Sequence, residues 1–200
     1  MTKMSEEKIN NICYNDSTNK RSRTILFYED IDEASALHVN KLLLSIDEEL
    51  TKKYCKTLQE EGSDSNIKKP VINLRIHSPG GDVFSSLAII DVVNQLKSDV
   101  YTHIDGCAAS GAAMIALNGK KRYIGKNGFM LLHQLSGSQS GKYEDMQDEL
   151  KNSKKIMELI KKMVRNKSNI EPEEIDEILK HEWWLSAEEC LNYGLVDEIS

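Results

Sequence analysis

The sequence lacks the features that mark secreted, metal-binding and nucleic-acid-binding proteins. It has only four cysteines in 200 residues, and they are scattered, without a CxxC pair or a Cys/His cluster at metal-ligand spacing. The formal net charge is −6, which leaves no basic excess to neutralise the phosphates of a nucleic acid or an anionic membrane. We therefore expect reduced thiols, a cytoplasmic location, and neither a nucleic-acid nor a membrane partner.

Long hydrophobic runs are also missing. The first residues, MTKMSEEKINN, contain no apolar signal core, and the longest run of small apolar residues, 108–117, is interrupted by a Ser-Gly pair and is too short to cross a bilayer. Residues 1–22 are polar with few apolar anchors, which predicts an arm that orders only against a partner. The hydrophobic fraction of 40% suffices for one sizeable core, so we expect a single domain over 23–200.

The remaining chain predicts alternating strands and helices. Residues 71–76 have the β-branched pattern of a strand, 83–96 that of a helix, and 100–104 that of a second strand. Strand, helix and strand in this order predict a right-handed parallel crossover. The other predicted elements are a strand at 23–30, helices at 35–50, 143–166 and 172–180, a short helix near Ser110, short strands at 122–125 and 129–133, and a capped helix after Ser186. Residues 51–69 are expected to form a surface excursion, a helix extension followed by a loop.

One serine is surrounded by small side chains. In the segment DGCAASGAAM, alanines and glycines flank Ser110 and leave the backbone accessible to a substrate carbonyl. At the first turn of a helix, the backbone N–H of Gly111 is a free donor aimed where an oxyanion would form. The SPGGD turn can supply a second donor, because Gly80 and Gly81 allow a close backbone approach. Both donors are expected at the C-terminal ends of adjacent parallel strands.

A serine hydroxyl is a weak nucleophile until a base accepts its proton. Among the five histidines, His133 is best placed, since it closes the strand FMLLH and precedes the polar stretch QLSGSQSG. The other histidines are His38, His77, His103 and His181. An acid must orient the imidazole, and the candidate is Glu182, beside Trp183 and Trp184. A solvated carboxylate is an equally good interpretation of Glu182.

Four motifs in this order resemble the ClpP family, the proteolytic subunits of the Clp protease. They are INLRIHSPGGDVFSSLAIID, DGCAASGAAMIAL, FMLLHQLSG and WWLSAEECLNYGLVDEI. The resemblance implies an α/β, crotonase-like fold of stacked strand-strand-helix units, in which the helix at 143–166 is the handle between two heptameric rings. It implies Ser110 as the nucleophile and His133 as the base, with the triad acid at Glu182. No metal or organic cofactor is expected.

The oxyanion donors implied by the resemblance are Gly81 and Gly111. An extended substrate would pair beside the glycine turn and the segment after the histidine, at Gly80, Gln134 and Leu135. The expected function is therefore a serine endopeptidase subunit that cleaves unfolded polypeptides or peptides in an enclosed homo-oligomeric chamber and is fed by an ATP-dependent unfoldase.

The chain departs from the family pattern in four places. Glutamate replaces the triad aspartate, glycine stands where a methionine usually follows the nucleophile, Gln-Leu replaces Gln-Pro after the histidine, and the excursion at 51–69 is long. Three alternatives stay open: a weakly active or inactive ClpP-like ring subunit with a structural or regulatory role, an acyl-CoA enzyme of the crotonase fold, and a phage capsid-maturation protease with the same fold.

Overall fold

The computed structural model describes residues 23–61 and 68–200. The predicted arm at 1–22 and part of the excursion lie outside the described residues. Within them the strands are β1 (Thr24–Phe27), β2 (Val71–Ser78), β3 (Asp99–Ala109), β4 (Lys121–Ile124), β5 (Phe129–Leu131), β6 (Trp184–Ser186) and β7 (Glu198–Ile199). The helices are α1 (Glu33–Glu61), α2 (Val83–Gln95), α3 (Gly111–Leu117), α4 (Tyr143–Lys167), α5 (Pro172–Lys180) and α6 (Ala187–Asn192).

The sheet is parallel along the order β1-β2-β3-β4-β7. The predicted crossover from β2 through α2 to β3 is confirmed, since β2 and β3 pair in parallel. Strand β3 then changes neighbour along its length. Its first half pairs with β4 at 101–104, and its last residues, 107–109, pair with β5. Strand β6 completes the branch by pairing antiparallel to β5, so the end of β3 lies where the sheet divides.

The core lies between the sheet and the helices. Along β2, Ile72, Leu74 and Ile76 are fully buried, whereas the alternate residues Asn73 and Arg75 are half-buried. This alternation follows from the two-residue period of a strand. Each large apolar side chain removed from water contributes about 1.5–3 kcal/mol to folding, so this face of β2 is a principal anchor for the glycine turn that follows it.

Several predicted elements differ in length from those observed, among them strand β3, which is longer than predicted, helix α1 and strand β5. Helix α1 continues past the predicted end at residue 50 to Glu61. The extension contains the good helix formers lysine, leucine, glutamine and glutamate, and Lys52 pairs with Glu48 one turn earlier at 2.6 Å. Strand β5 ends at Leu131, so His133 lies just beyond the strand that it was predicted to close. The partner strand β6 is only three residues long, so the β5–β6 ladder has no further residue with which His133 could pair.

The described cysteines are free thiols, namely Cys55, Cys107 and Cys190. Burial raises the pKa of the Cys190 thiol to about 12. No helix in the two described ranges combines the length and apolar character needed to span a membrane.

Candidate active site

Ser110 occupies a strained turn between β3 and α3. Its backbone has φ 55° and ψ −124°, and it is the single non-glycine residue with positive φ in the described part of the chain. Its N–H donates to the carbonyl of Leu131 at 2.8 Å, which ties the turn to β5. A non-glycine residue in such a region costs about 1–3 kcal/mol. Sharp strand-to-helix turns of this kind expose a nucleophilic hydroxyl, and Ser110 is only half-buried.

Gly80 lets the turn after β2 pack directly against this serine. A Cβ added to Gly80 would lie 2.7 Å from the Cβ of Ser110 and 2.6 Å from the carbonyl oxygen of Ala109. The residue also has φ +94°, which disfavours any side chain. The buried Ser78 hydroxyl accepts the Gly80 N–H at 3.1 Å. A hydrogen bond to Ser78, the last residue of β2, thus holds the glycine turn against the segment that carries Ser110.

Gly81 is fixed from the opposite side by the segment after β1. It forms a β-bridge with Ile31, whose N–H donates to the Gly80 carbonyl and whose carbonyl accepts from Asp82, both at 2.8 Å. A Cβ on Gly81 would lie 2.1 Å from the Ile31 carbonyl oxygen. Only glycine can occupy this position without displacing the backbone of Ile31.

One cavity of about 210 Å³ brings most of the predicted site residues together. Its lining includes Ser110, His133, Gly81, Gly111, Gln134 and Leu135. Gly80 does not line the cavity, but a Cβ on it would overlap Ser110. An apolar wall completes it, built from Leu87, Ile90, Met114, Ile160, Met163 and Leu179. Four helices supply that wall, so the cavity depends on the packed tertiary structure rather than on one local motif.

His133 is half-buried at the cavity wall, and its segment is held by its neighbours. The Gln134 N–H donates to the Leu179 carbonyl at 2.6 Å, and the Leu135 N–H donates to the Met157 Sδ at 3.0 Å. Within the described residues, no hydrogen bond joins the His133 ring to the Ser110 hydroxyl. The two side chains share the cavity, and direct proton transfer requires them to approach each other.

The other histidines lie away from this cavity. His77 Nδ1 contacts the Asp105 carbonyl at 2.8 Å, and His181 Nε2 lies 3.0 Å from a carboxylate oxygen of Glu177. His103 stacks on Tyr123 with ring centroids 4.6 Å apart, and burial lowers its pKa. His38 lies on α1 and also does not line the cavity.

Glu182 is exposed between α5 and β6 and does not line the cavity. The register of β5 and β6 nevertheless relates it to the histidine. Leu131 pairs with Trp184 in this antiparallel ladder, so continuing the register by two residues sets His133 opposite Glu182. The ladder itself ends before either residue, and within the described residues no hydrogen bond joins Glu182 to His133.

Several cavity residues were not predicted as part of a site. Ile160 and Met163 line the cavity from α4. Their apolar spacing along α4 was a detectable indication that this helix face is covered. Ser86 also lines the cavity, and nothing in the sequence alone distinguishes it from neighbouring Ser85. In the described ranges, no group of three or more His, Cys, Asp or Glu side chains could hold a metal ion.

Comparison with known proteins agrees with these motifs. The family model described as Clp protease matches residues 6–200. Proteins described as ATP-dependent Clp protease proteolytic subunits, from Streptococcus sanguinis, Streptococcus gordonii and Streptococcus mutans, are each 36% identical over 132 residues, covering 64% of this chain and 67% of the relative. The expected α/β, ClpP/crotonase-like fold is thereby confirmed. On the motifs, the branched parallel sheet and the match over 6–200, the chain belongs to the Clp protease family.

Proposed function

We propose that this protein is a serine endopeptidase that cleaves unfolded polypeptides or peptides. The observation that carries the proposal is the single cavity lined by Ser110, His133 and the two backbone segments at Gly81 and Gly111. A hydroxyl, an imidazole and two candidate amide donors are the groups that acyl transfer requires. Membership of the Clp protease family also supports the proposed peptidase activity.

In the proposed reaction, the Ser110 Oγ attacks the scissile carbonyl carbon while His133 accepts the hydroxyl proton. The carbonyl oxygen becomes an oxyanion, which accepts hydrogen bonds from the N–H groups of Gly81 and Gly111. His133 then returns the proton to the leaving amine as the C–N bond breaks. Water, deprotonated by the same imidazole, attacks the acyl-enzyme ester and releases the new carboxyl terminus, and the proton returns to Ser110.

Glu182 is the proposed orienting acid. The register of the β5–β6 ladder, continued by two residues, supports its approach to His133. Its exposure means that solvent screens the interaction, which weakens the stabilisation of an imidazolium relative to a buried carboxylate. The rings of His181 and Trp183, on either side of Glu182 in the sequence, stack with their centroids 4.4 Å apart.

The substrate is proposed to lie as an extended strand between the glycine turn and the segment after the histidine. The backbone N–H groups of Gln134 and Leu135 are already engaged. Their carbonyl groups are therefore the proposed acceptors for N–H groups of the substrate backbone. The apolar wall that includes Met114 and Leu179 would receive the side chain next to the cut.

Assembly into rings and feeding by an ATP-dependent unfoldase are also proposed. The relatives are described as subunits of an ATP-dependent protease, and α4 carries exposed apolar residues suited to subunit contact. These are Tyr143, Met146, Leu150 and Leu159. One or two heptameric rings enclosing a chamber would restrict access to chains that have already been unfolded.

The test is turnover of a fluorogenic peptide with an apolar residue before the dye, by the purified assembly. We expect turnover by the wild type and a loss of at least about a thousandfold in Ser110→Ala. The matched control is Ser140→Ala, because Ser140 is exposed and outside the cavity, and it should keep wild-type turnover. An assembled wild type that cleaves no peptide would instead identify a structural ring subunit. Binding of a CoA thioester without peptide cleavage would identify an acyl-CoA protein.

A further inference from the structure

The first turn of α3 packs against the first turn of α2 without room for a Cβ on Gly111. A Cβ added to Gly111 would lie 2.1 Å from Ser86 Oγ, 3.1 Å from Ser86 Cβ and 3.4 Å from Ile31 Cδ1. The first distance is far inside the van der Waals contact of two heavy atoms. Ser86 is only 2% exposed, and rotation of its hydroxyl away from the added Cβ would break its hydrogen bond to the Asp82 carbonyl. Ser86 therefore disfavours any side chain at position 111, directly after the nucleophile.

Ser86 also contacts the segment that carries the other candidate donor. Its hydroxyl donates to the Asp82 carbonyl at 2.8 Å, and Asp82 follows Gly81 directly. Hydroxyl bonds to the carbonyl four residues earlier are common in helices, so this bond alone indicates little. What distinguishes Ser86 is that the same short side chain touches the Gly81–Asp82 segment on one side and Gly111 on the other.

We infer that Ser86 is a positioning residue that sets the spacing between the two oxyanion donors, Gly81 and Gly111, and that it favours glycine at position 111. This inference rests on the proposed peptidase function. The ClpP family usually has a methionine after the nucleophile, and in this chain the Cβ of such a residue would overlap the Ser86 hydroxyl. In this chain, the two small residues Ser86 and Gly111 therefore pack against each other beside the proposed oxyanion site.

A double-mutant cycle tests the inference. Gly111→Ala should lower kcat for the fluorogenic peptide about a hundredfold, because a displacement of about 1 Å at an oxyanion donor has this effect on rate. KM should change by less than about threefold, since donors that act on the transition state affect kcat more than binding. In the double variant Ser86→Gly/Gly111→Ala, the Oγ and Cβ of Ser86 that would overlap the alanine are absent. Its kcat should therefore lie within about tenfold of that of Ser86→Gly alone.

Ser85→Gly is the matched control, because Ser85 is also buried in the first turn of α2 and carries the same helix-propensity cost. In combination with Gly111→Ala, the Ser85→Gly replacement should not restore kcat. Wild-type kcat in Gly111→Ala, or equal recovery by the Ser85 and Ser86 replacements, would overturn the inference.

Thermal unfolding separates this inference from the proposed function. Gly111→Ala should lower the unfolding temperature, and it should lower it less in the Ser86→Gly background, whether or not the wild type cleaves peptides. If the wild type cleaves nothing, the peptidase proposal fails while the steric coupling still stands on the unfolding data. If Gly111→Ala is equally destabilising with and without Ser86, the coupling itself is wrong.

Discussion

At residue 110, the backbone conformation stores strain where the chemistry is proposed to occur. The φ of 55° and ψ of −124° suit glycine, yet the position holds a serine. Strain of this kind persists when the surrounding structure imposes it, and here the contacts with Gly80 and Leu131 do so. A side chain with a hydroxyl is therefore retained at a cost in stability.

Replacement of Ser110 tests that strain. The free energy of unfolding of Ser110→Gly should be about 1 kcal/mol higher than that of Ser110→Ala. Glycine relieves about 1–3 kcal/mol of backbone strain, which exceeds the cost of about 0.5–1 kcal/mol that its greater chain entropy adds to folding. Denaturant unfolding of both inactive variants measures the difference. The same pair at exposed Ser140, which does not have positive φ, should show the opposite order. A Ser110→Gly variant less stable than Ser110→Ala would contradict the strained turn.

A second prediction at the residue scale concerns the orienting acid. Glu182→Gln should lower kcat about tenfold to a hundredfold with little change in KM, a smaller loss than for a buried triad acid because solvent already screens this carboxylate. Glu182→Asp should keep much of the activity if the carboxylate reaches His133. Exposed Glu173 provides the control, since Glu173→Gln removes one charge on α5 away from the cavity. Equal kcat in wild type and Glu182→Gln would remove Glu182 from the mechanism.

The sequence predicted this group of residues better than it predicted their geometry. Ser110, His133 and the glycines were recognisable because small residues beside a lone hydroxyl, a glycine turn and a histidine after an apolar strand recur in one order. The backbone strain at Ser110 was not predictable, because it arises from contacts with segments distant in the chain. The coupling of Ser86 with Gly111 was hidden for the same reason.

Among the elements, the C-terminal strand is held to the sheet by an ion pair. The Arg122 guanidinium forms hydrogen bonds with both carboxylate oxygens of Asp197, at 3.2 and 2.5 Å, and joins β4 to the chain before β7. The hydrogen bonds from Arg122 lower the pKa of the Asp197 carboxyl. Arg122 also donates to the carbonyl of Lys167 at the end of α4. The Arg122 side chain thus connects β4 with the residue before β7 and with the end of α4.

The lowered pKa gives this pair a defined pH dependence. A carboxyl with a folded-state pKa below its unfolded value stabilises the protein above the unfolded pKa, and that contribution is lost as the pH falls. Asp197→Asn should therefore cost about 1 kcal/mol at pH 7, a value discounted for partial exposure. The difference from wild type should shrink below about pH 4, where ordinary aspartates begin to protonate. Denaturant unfolding at several pH values measures it, and a pH-independent difference would contradict the assignment.

The elements themselves were largely predictable from periodicity. The parallel crossover, the capped helix after Ser186 and the helix at 172–180 all follow from local patterns, and the structure has each of them. The ladder between β5 and β6 was not predicted, since each strand has only three residues and so carries no period. That ladder is the part of the fold that relates His133 to Glu182.

For the whole molecule, the exposed apolar residues of α4 bear on assembly. Leu150 is 56% exposed and Tyr143 67% exposed, and neither is covered within the described chain. Exposed apolar rows of this kind commonly mark subunit contacts. They support the proposal that α4 pairs with its counterpart in a second ring.

Leu150→Glu should therefore weaken association between rings and leave single rings or smaller species. Native mass spectrometry measures the distribution of species at one protein concentration. Asn152→Glu introduces the same charge at an exposed polar position of the same helix, and it should leave assembly unchanged. Identical mass distributions for wild type and Leu150→Glu would show that this face does not join subunits.

The proposed peptidase activity depends most on Ser110 being an activated nucleophile with His133 as its base. The direct measurement is labelling of the native assembly with a fluorophosphonate, followed by mass spectrometry of its peptides. We predict a single modified residue, Ser110, and a labelling rate at least about a hundredfold lower in His133→Ala, because an unassisted serine hydroxyl is a weak nucleophile. Modification at another serine, or undiminished labelling of Ser110 in His133→Ala, would contradict the account.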